Sequence, residues 1–182
     1  MLNAAKWIEE RHGRASLEQV LAGCSPAVRD RVATEIAVNW HPQEEFCEFL
    51  DVAERAVGTG DGRLSEAVGA AGALASTQGM LMRAAFYLAR PPFLMKRIAN
   101  AWQHYNDEGD MTFDSLEKTA ATIEVRGLRR PHWYFCCTVT GWAGEIARRF
   151  SGRQGSARHL ECRARGAERC VWDVRWQRVG DA

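Results

Sequence analysis

Four of the six cysteines, two of the five histidines and four of the seven tryptophans fall between His132 and Trp176. Thiols and imidazoles at that density attack an electrophile, form disulfides or ligate a soft metal. Cys136 and Cys137 stand close to His132, but nothing around them completes a reactive set. The chain holds no Gly-x-Ser-x-Gly elbow, no His-Glu-x-x-His helix and no dinucleotide fingerprint, and its acids mostly sit at helix starts and on polar faces. No nucleophile, base and oxyanion-stabilising group can be assembled, so the expectation is a protein that is not an enzyme.

The elements that carry these residues can be read from periodicity. Phe135, Val139, Trp142, Ile146 and Phe150 recur at intervals of three and four, which predicts an amphipathic helix over 133–150 with one buried stripe. Residues 158–164 alternate, with Leu160, Cys162 and Ala164 on one side and His159, Glu161 and Arg163 on the other. Residues 170–176 alternate as well, with Cys170, Trp172, Val174 and Trp176 on one face. Together they predict a hairpin with Gly166 in its loop. A period of two places Cys162 and Cys170 on the same apolar face, against which the helix bearing Cys136 must pack, so three thiols converge.

Cys136, then Gly141-Trp142-Ala143-Gly144, then Cys162-Arg-Ala-Arg-Gly166 and Cys170 with a terminal strand resembles the 4-vinyl-reductase-type domain, which is predicted to bind hydrocarbons. In the related aromatic-sensing domains of bacterial transcription activators, cysteines at these three positions hold zinc, with a carboxylate as fourth ligand at the place taken here by His159. The resemblance therefore implies a structural zinc on Cys136, His159, Cys162 and Cys170, with four protein ligands and no open position. His159 points outward on a straight strand, so a bulge, or a strand beginning at Leu160, is required. Otherwise Glu161 or Cys137 substitutes, or the thiols simply pack as small hydrophobes beside Trp172. The same superfamily includes TRAPP vesicle-tethering subunits and heme nitric-oxide sensors. The sensors hold the propionates with Tyr-x-Ser-x-Arg, a spacing that follows none of Tyr87, Tyr105 and Tyr134, so heme is not expected.

Composition narrows the partners. With 24 Lys and Arg against 23 Asp and Glu the formal charge is +1, which gives no global drive toward nucleic acid or anionic membrane. The arginines after Arg148 make the carboxy-terminal part locally basic; this reads as a solvated sheet face, because Trp172 and Trp176 share the inward side. No apolar run reaches the roughly 20 residues that span a bilayer, and the amino terminus has no apolar core followed by a small-residue cleavage site. A cytoplasmic protein is expected, with Cys24 and Cys47 as core or near-surface thiols.

The remainder of the chain reads as helices. Asn3–Glu10 forms a short one, Ser16 and Gln19 make a capping box for a second, and Ser25-Pro26 and His41-Pro42 open a third and a fourth. A long segment, 64–88, carries Gly69, Gly72 and Gly79, and Pro91-Pro92 precedes a helix with Leu94, Ile98 and Trp102 on one side. Met111–Leu116 and Ala120–Arg126 read as strands. The expectation is a single α+β domain over 1–182, helical through 109, in which the helical half and a central helix pack on one face of a four-stranded antiparallel sheet. Large rings opposite small residues place a pocket for a small apolar or aromatic molecule among Gly72, Phe86, Tyr87, Trp102, His104, Phe135 and Trp142, with Tyr87 and His104 as polar anchors. The expected function is a non-catalytic sensor or carrier of such a molecule, built as a homodimer through its helical half. The alternative is an interaction module with a filled core and no small-molecule ligand.

Overall fold

The computed structural model describes residues 1–34, 42–79, 93–97, 100, 102, 106–151 and 154–176. Five helices come first: α1 (Leu2–His12), α2 (Arg14–Gly23), α3 (Pro26–Thr34), α4 (Gln43–Ala56) and α5 (Arg63–Thr77). Then follow β1 (Asp110–Leu116), β2 (Ala120–Arg126), the central helix α6 (Trp133–Ser151), β3 (Gly155–Glu161), a 3-10 turn (Arg163–Arg165) and β4 (Cys170–Trp176). Residues 93–97 and Trp102 are helical as well. The fold is α+β as expected. The four strands pair antiparallel in the order β1-β2-β4-β3, so the last strand inserts beside β2 and leaves β1 and β3 as edges.

One sheet face is apolar and meets α6. Ile123, Val125, Cys170, Trp172, Val174 and Trp176 are all buried on it, as the period of two requires. The outer face is polar and paired. Arg169 reaches both Glu124, at 2.8 Å, and Glu161, at 3.3 Å, and Arg175 binds Asp173 at 2.9 Å. Part of the locally basic carboxy-terminal segment is thus paired with acids on the sheet's outer face.

Two glycines set how α5 meets α6. A Cβ on Gly69 would stand 1.9 Å from the Thr138 carbonyl oxygen, and one on Gly141 would stand 1.8 Å from that of Glu66. Only residues without a side chain let the two backbones approach so closely, which accounts for two glycines that cost helix propensity. Glu54 of α4 prepares the start of α5. Its buried Oε1 accepts the Ser65 N–H at 2.9 Å and the Ser65 hydroxyl at 2.7 Å, satisfying an amide that the N-cap Gly62 cannot.

Three local expectations are corrected. Ser16 does not open α2: the helix starts two residues earlier after Gly13, whose φ of +91° turns the chain, and the Ser16 hydroxyl donates instead to the His12 carbonyl. The long glycine-containing helix ends at Thr77, whose hydroxyl folds back onto the Ala73 carbonyl; the remainder, from 80 to 92, lies outside the described residues. The first strand of the last hairpin runs over Gly155–Glu161 rather than 158–164, so Cys162 follows the strand instead of lying within it.

Candidate metal centre and ligand-binding residues

The misplaced strand explains how a histidine and a cysteine three residues apart reach one side of the sheet. His159 pairs with Trp172 and Glu161 pairs with Val171, leaving Leu160 as an unpaired bulge residue, 48% exposed. One extra residue inverts the alternation beyond it. His159 therefore faces inward, Glu161 faces outward to Arg169, and Cys162 turns inward again at the end of the strand. Leu160, assigned to the apolar face from sequence, is on the solvent side.

Cys136 comes to the same place from α6 and Cys170 from the start of β4. One donor atom from each of Cys136, His159, Cys162 and Cys170 lies within 4.8 Å of all the others. The Cys136 and Cys170 sulfurs are 3.6 Å apart. A tetrahedral ion with metal–sulfur bonds of about 2.3 Å sets its sulfurs roughly 3.8 Å apart, so the spacing suits such a ligand set. The three thiols are buried, and His159 Nε2 is buried with no hydrogen-bond partner. Hydrogen bonding to Cys162 and Cys170, reinforced by burial, holds the Cys136 thiol far above the ordinary thiol range. Hydrogen bonds from Cys136 and Cys170 hold Cys162 far below it. The Arg163 N–H donates to the Cys170 sulfur at 3.3 Å.

The two substitute ligands lie elsewhere. Cys137 is turned by one helical step toward the loop before α5, where its sulfur would sit 2.5 Å from a Cβ on Gly62, and burial pushes its pKa up to about 12. Glu161 is on the outer face. Cys24 and Cys47 are buried thiols in the helical half, raised by burial to about 11 and about 12.

Of the residues assigned to a ligand pocket, Trp102 and Phe135 are brought together. Their rings meet edge to face with centroids 6.1 Å apart, and Trp102 Nε1 donates to the carbonyls of Glu108, at 3.1 Å, and Gly109, at 2.9 Å. Trp142 packs partly buried against the same core. Gly72 is half-buried on α5, and a Cβ there meets no atom within 4 Å. Phe86, Tyr87 and His104 lie outside the described residues. Two clefts stand out among the described residues. One, about 300 Å³, runs along α4 past Gln43, Cys47 and Asp51 to Arg130 and His132, with Asp51 bound to His132 Nε2 at 3.0 Å. The other, about 340 Å³, lies between α5, α6 and β3, lined by Ala67, Ala70, Gly141 and Gly144 with Arg63, Glu66 and Arg148. Neither is the uncharged apolar cavity that the rings led one to expect.

Sequence reasoning missed the rings around the cluster. The His159 imidazole is sandwiched between Trp172, 4.6 Å away at 6°, and Trp133, 5.6 Å away at 17°, and the Arg165 guanidinium lies 3.3 Å over the outer face of Trp133. The available signal was the share of tryptophan in this stretch, together with the cross-strand register that sets Trp172 opposite His159.

No family model matches the chain, and no curated protein matches it. Among solved structures, the chain is similar to the H-NOX protein from S. oneidensis in the Fe(II)NO ligation state, at 13% identity and a TM-score of 0.68, over 97% of this chain and 99% of that one. It is also similar to the IWP-051-bound H-NOX from Shewanella woodyi in the Fe(II)CO ligation state, at 14% identity and a TM-score of 0.63, over 99% and 94% of the two chains. A third, from work on the function of heme distortion in the H-NOX family, is 12% identical with a TM-score of 0.65, over 99% and 95%. At such identities the likeness is one of fold. It agrees with the superfamily named from the sequence, whereas the narrower 4-vinyl-reductase resemblance rests on its own residues alone.

The expectation of zinc as the cofactor is corrected by these neighbours: the group they hold is heme, with its iron as Fe(II), and zinc is withdrawn in that role. Heme in turn does not fit the described residues of this chain. His12 is exposed beside Trp7, His132 is bound to Asp51, and His159 is enclosed by two indoles next to three thiols, so none of the three faces an apolar cavity. His41 and His104 lie outside the described residues.

Proposed function

We propose that the chain is a non-catalytic sensor or carrier domain. In this reading a thiophilic metal ion held by Cys136, His159, Cys162 and Cys170 ties the last hairpin to the central helix, and a small apolar or aromatic molecule binds on the helical side. The observation that carries it is the convergence of three sulfurs and an imidazole nitrogen from α6, β3, the turn and β4 within 4.8 Å. Four protein ligands leave the ion no open position, so its contribution is to stability and not to chemistry.

The ligand is assigned to the space bounded by Gly72, Phe86, Tyr87, Trp102, His104, Phe135 and Trp142. Support comes from the fold, whose neighbours are described with heme, with Fe(II)NO and Fe(II)CO and with IWP-051 bound, and from the open space beside Gly72. A substituted benzene buried there removes about 150–200 Å² of apolar surface from water, worth roughly 4–5 kcal/mol before association costs. Micromolar affinity then needs one polar anchor, for which Tyr87 and His104 are the candidates. Binding that shifts helix against sheet alters the surface offered to a second copy, which is how such a domain signals without a reaction.

A panel of aromatic and fatty ligands screened by thermal shift tests this. At least one raises the midpoint of the wild-type chain and not that of Gly72→Leu. If no ligand does so, the interaction-module reading takes its place. Sedimentation at micromolar concentration reports the homodimer, and no helix among the described residues is long and apolar enough to cross a membrane.

A further inference from the structure

A histidine on an edge strand, one residue before a bulge, is poorly constrained by its backbone. Metal-bound histidines are ordinarily oriented by a hydrogen bond from the second ring nitrogen to a carboxylate or carbonyl. His159 Nε2 is buried without a hydrogen-bond partner, as a ligating nitrogen would be before its ion is bound, and its ring is flanked on both faces by stacked indoles. Trp172 is the inner plate. It is 1% exposed, stands opposite His159 in the strand register, and donates through Nε1 to Thr140 Oγ1 at 2.9 Å. Thr140 in turn donates to the Cys136 carbonyl at 3.0 Å, so the plate is fixed to the helix that supplies the first thiol. Trp133 is the outer plate, and Arg165 closes the stack from the turn between Cys162 and Cys170.

The layers and the donors come from the same segments. Trp133 and Cys136 are three apart on α6 and share a face, Trp172 and Cys170 are two apart on β4 and share a face, and Arg165 lies three residues after Cys162. We infer that Trp133 and Trp172, with Arg165 behind them, are positioning residues that hold the His159 imidazole aimed at the centre of the three thiols; this rests on the metal reading above. Stacking between indoles here fixes the plane of the ring, a constraint that a hydrogen-bonded carboxylate supplies in other histidine–metal sites. Loss of such outer support weakens metal binding by about 10–100-fold. Trp133 is the informative position, because it is only half-buried and its removal spares the core that Trp172 fills.

The test is a cobalt(II) titration of the metal-free wild type, Trp133→Ala and Trp133→Phe, competed against a chromophoric chelator, with the visible absorption of bound cobalt recorded and the thermal midpoint measured without metal. Wild type binds one cobalt per chain with the spectrum of a tetrahedral three-sulfur, one-nitrogen site. Trp133→Ala binds about tenfold or more weakly and its spectrum moves toward three sulfurs and an oxygen, while Trp133→Phe restores both. Unchanged affinity and spectrum in Trp133→Ala overturn the inference, as does an equal loss in both variants that tracks a fall in the metal-free midpoint. If wild type takes up no cobalt, the metal reading itself fails, an outcome distinct from the other two.

Discussion

Alanine at Gly141 should force apart the two helices on which the site is built. The added Cβ would lie 1.8 Å from the Glu66 carbonyl oxygen, whereas carbon contacts are comfortable at about 3.5–4.0 Å, so α6 must retreat from α5 by more than 1 Å, or about the width of a bond. The obstacle is backbone, and no side-chain rotation relieves it. Overpacking of this kind costs about 1–3 kcal/mol or more, of which improved helix propensity returns roughly 1 kcal/mol. Gly72→Ala supplies the internal control. It makes the same chemical change in α5 but meets no atom within 4 Å, so it keeps the propensity gain of about 0.5–1 kcal/mol without the clash. Urea unfolding followed by far-UV circular dichroism should therefore rank Gly72→Ala above wild type and Gly141→Ala below it. The propensity gain is common to both, so the gap between the variants is the overpacking cost of about 1–3 kcal/mol, roughly five- to a hundredfold in the folding constant. If Gly141→Ala proves as stable as Gly72→Ala, the close helix crossing is wrong, and with it the placement of Cys136 and Trp133.

Glu54→Ala should cost about 1–3 kcal/mol in the same assay, because it strands the buried Ser65 N–H and hydroxyl; Glu54→Gln, which keeps an acceptor, should cost less. Burial raises Cys24 to about 11 and Cys47 and Cys137 to about 12, while an unfolded thiol ionises near 8.5. The folded chain then binds more protons than the unfolded one above that pH. The stabilisation is complete below about pH 8.5 and is lost as the pH rises toward 11–12, at about 1.4 kcal/mol per pH unit for each thiol. Urea midpoints measured from pH 7 to pH 10.5 should fall steeply beyond pH 9, and a flat profile would show that these thiols are not buried. A wild-type chain free of metal should also show in hydrogen exchange a selective loss of protection at the cluster end of β3, around His159 and Glu161, relative to the metal-loaded chain, since β3 is an edge strand and the cluster is its tie at that end.

Most of the architecture was legible because periodicity is a direct image of burial. The apolar stripe of α6 and the alternation of β2 and β4 each named their inward faces, and the helix-then-hairpin order brought Cys136, Cys162 and Cys170 together. What periodicity misread was β3. Its residues alternate well in either register, and only the bulge at Leu160 decides that His159 turns in and Leu160 turns out. A bulge is set by pairing with the neighbouring strand and leaves little trace in one strand's own sequence. The start of α2 was missed for a similar reason, since Gly13 at positive φ outweighed a capping pattern that looked complete. The stack around His159 joins residues up to 39 positions apart, from Trp133 to Trp172, and no local pattern announces contacts of that range.

The central claim is that four donors from separate elements hold one metal ion. Native mass spectrometry with elemental analysis, on the chain purified without chelator, tests it most directly, with alkylation of the cysteines as a second readout. The account predicts one thiophilic metal ion per chain, lost in Cys162→Ser, with Cys136, Cys162 and Cys170 protected from alkylation until the ion is removed. A folded chain that carries well under one ion, and whose three thiols alkylate at the same rate before and after treatment with chelator, would contradict it.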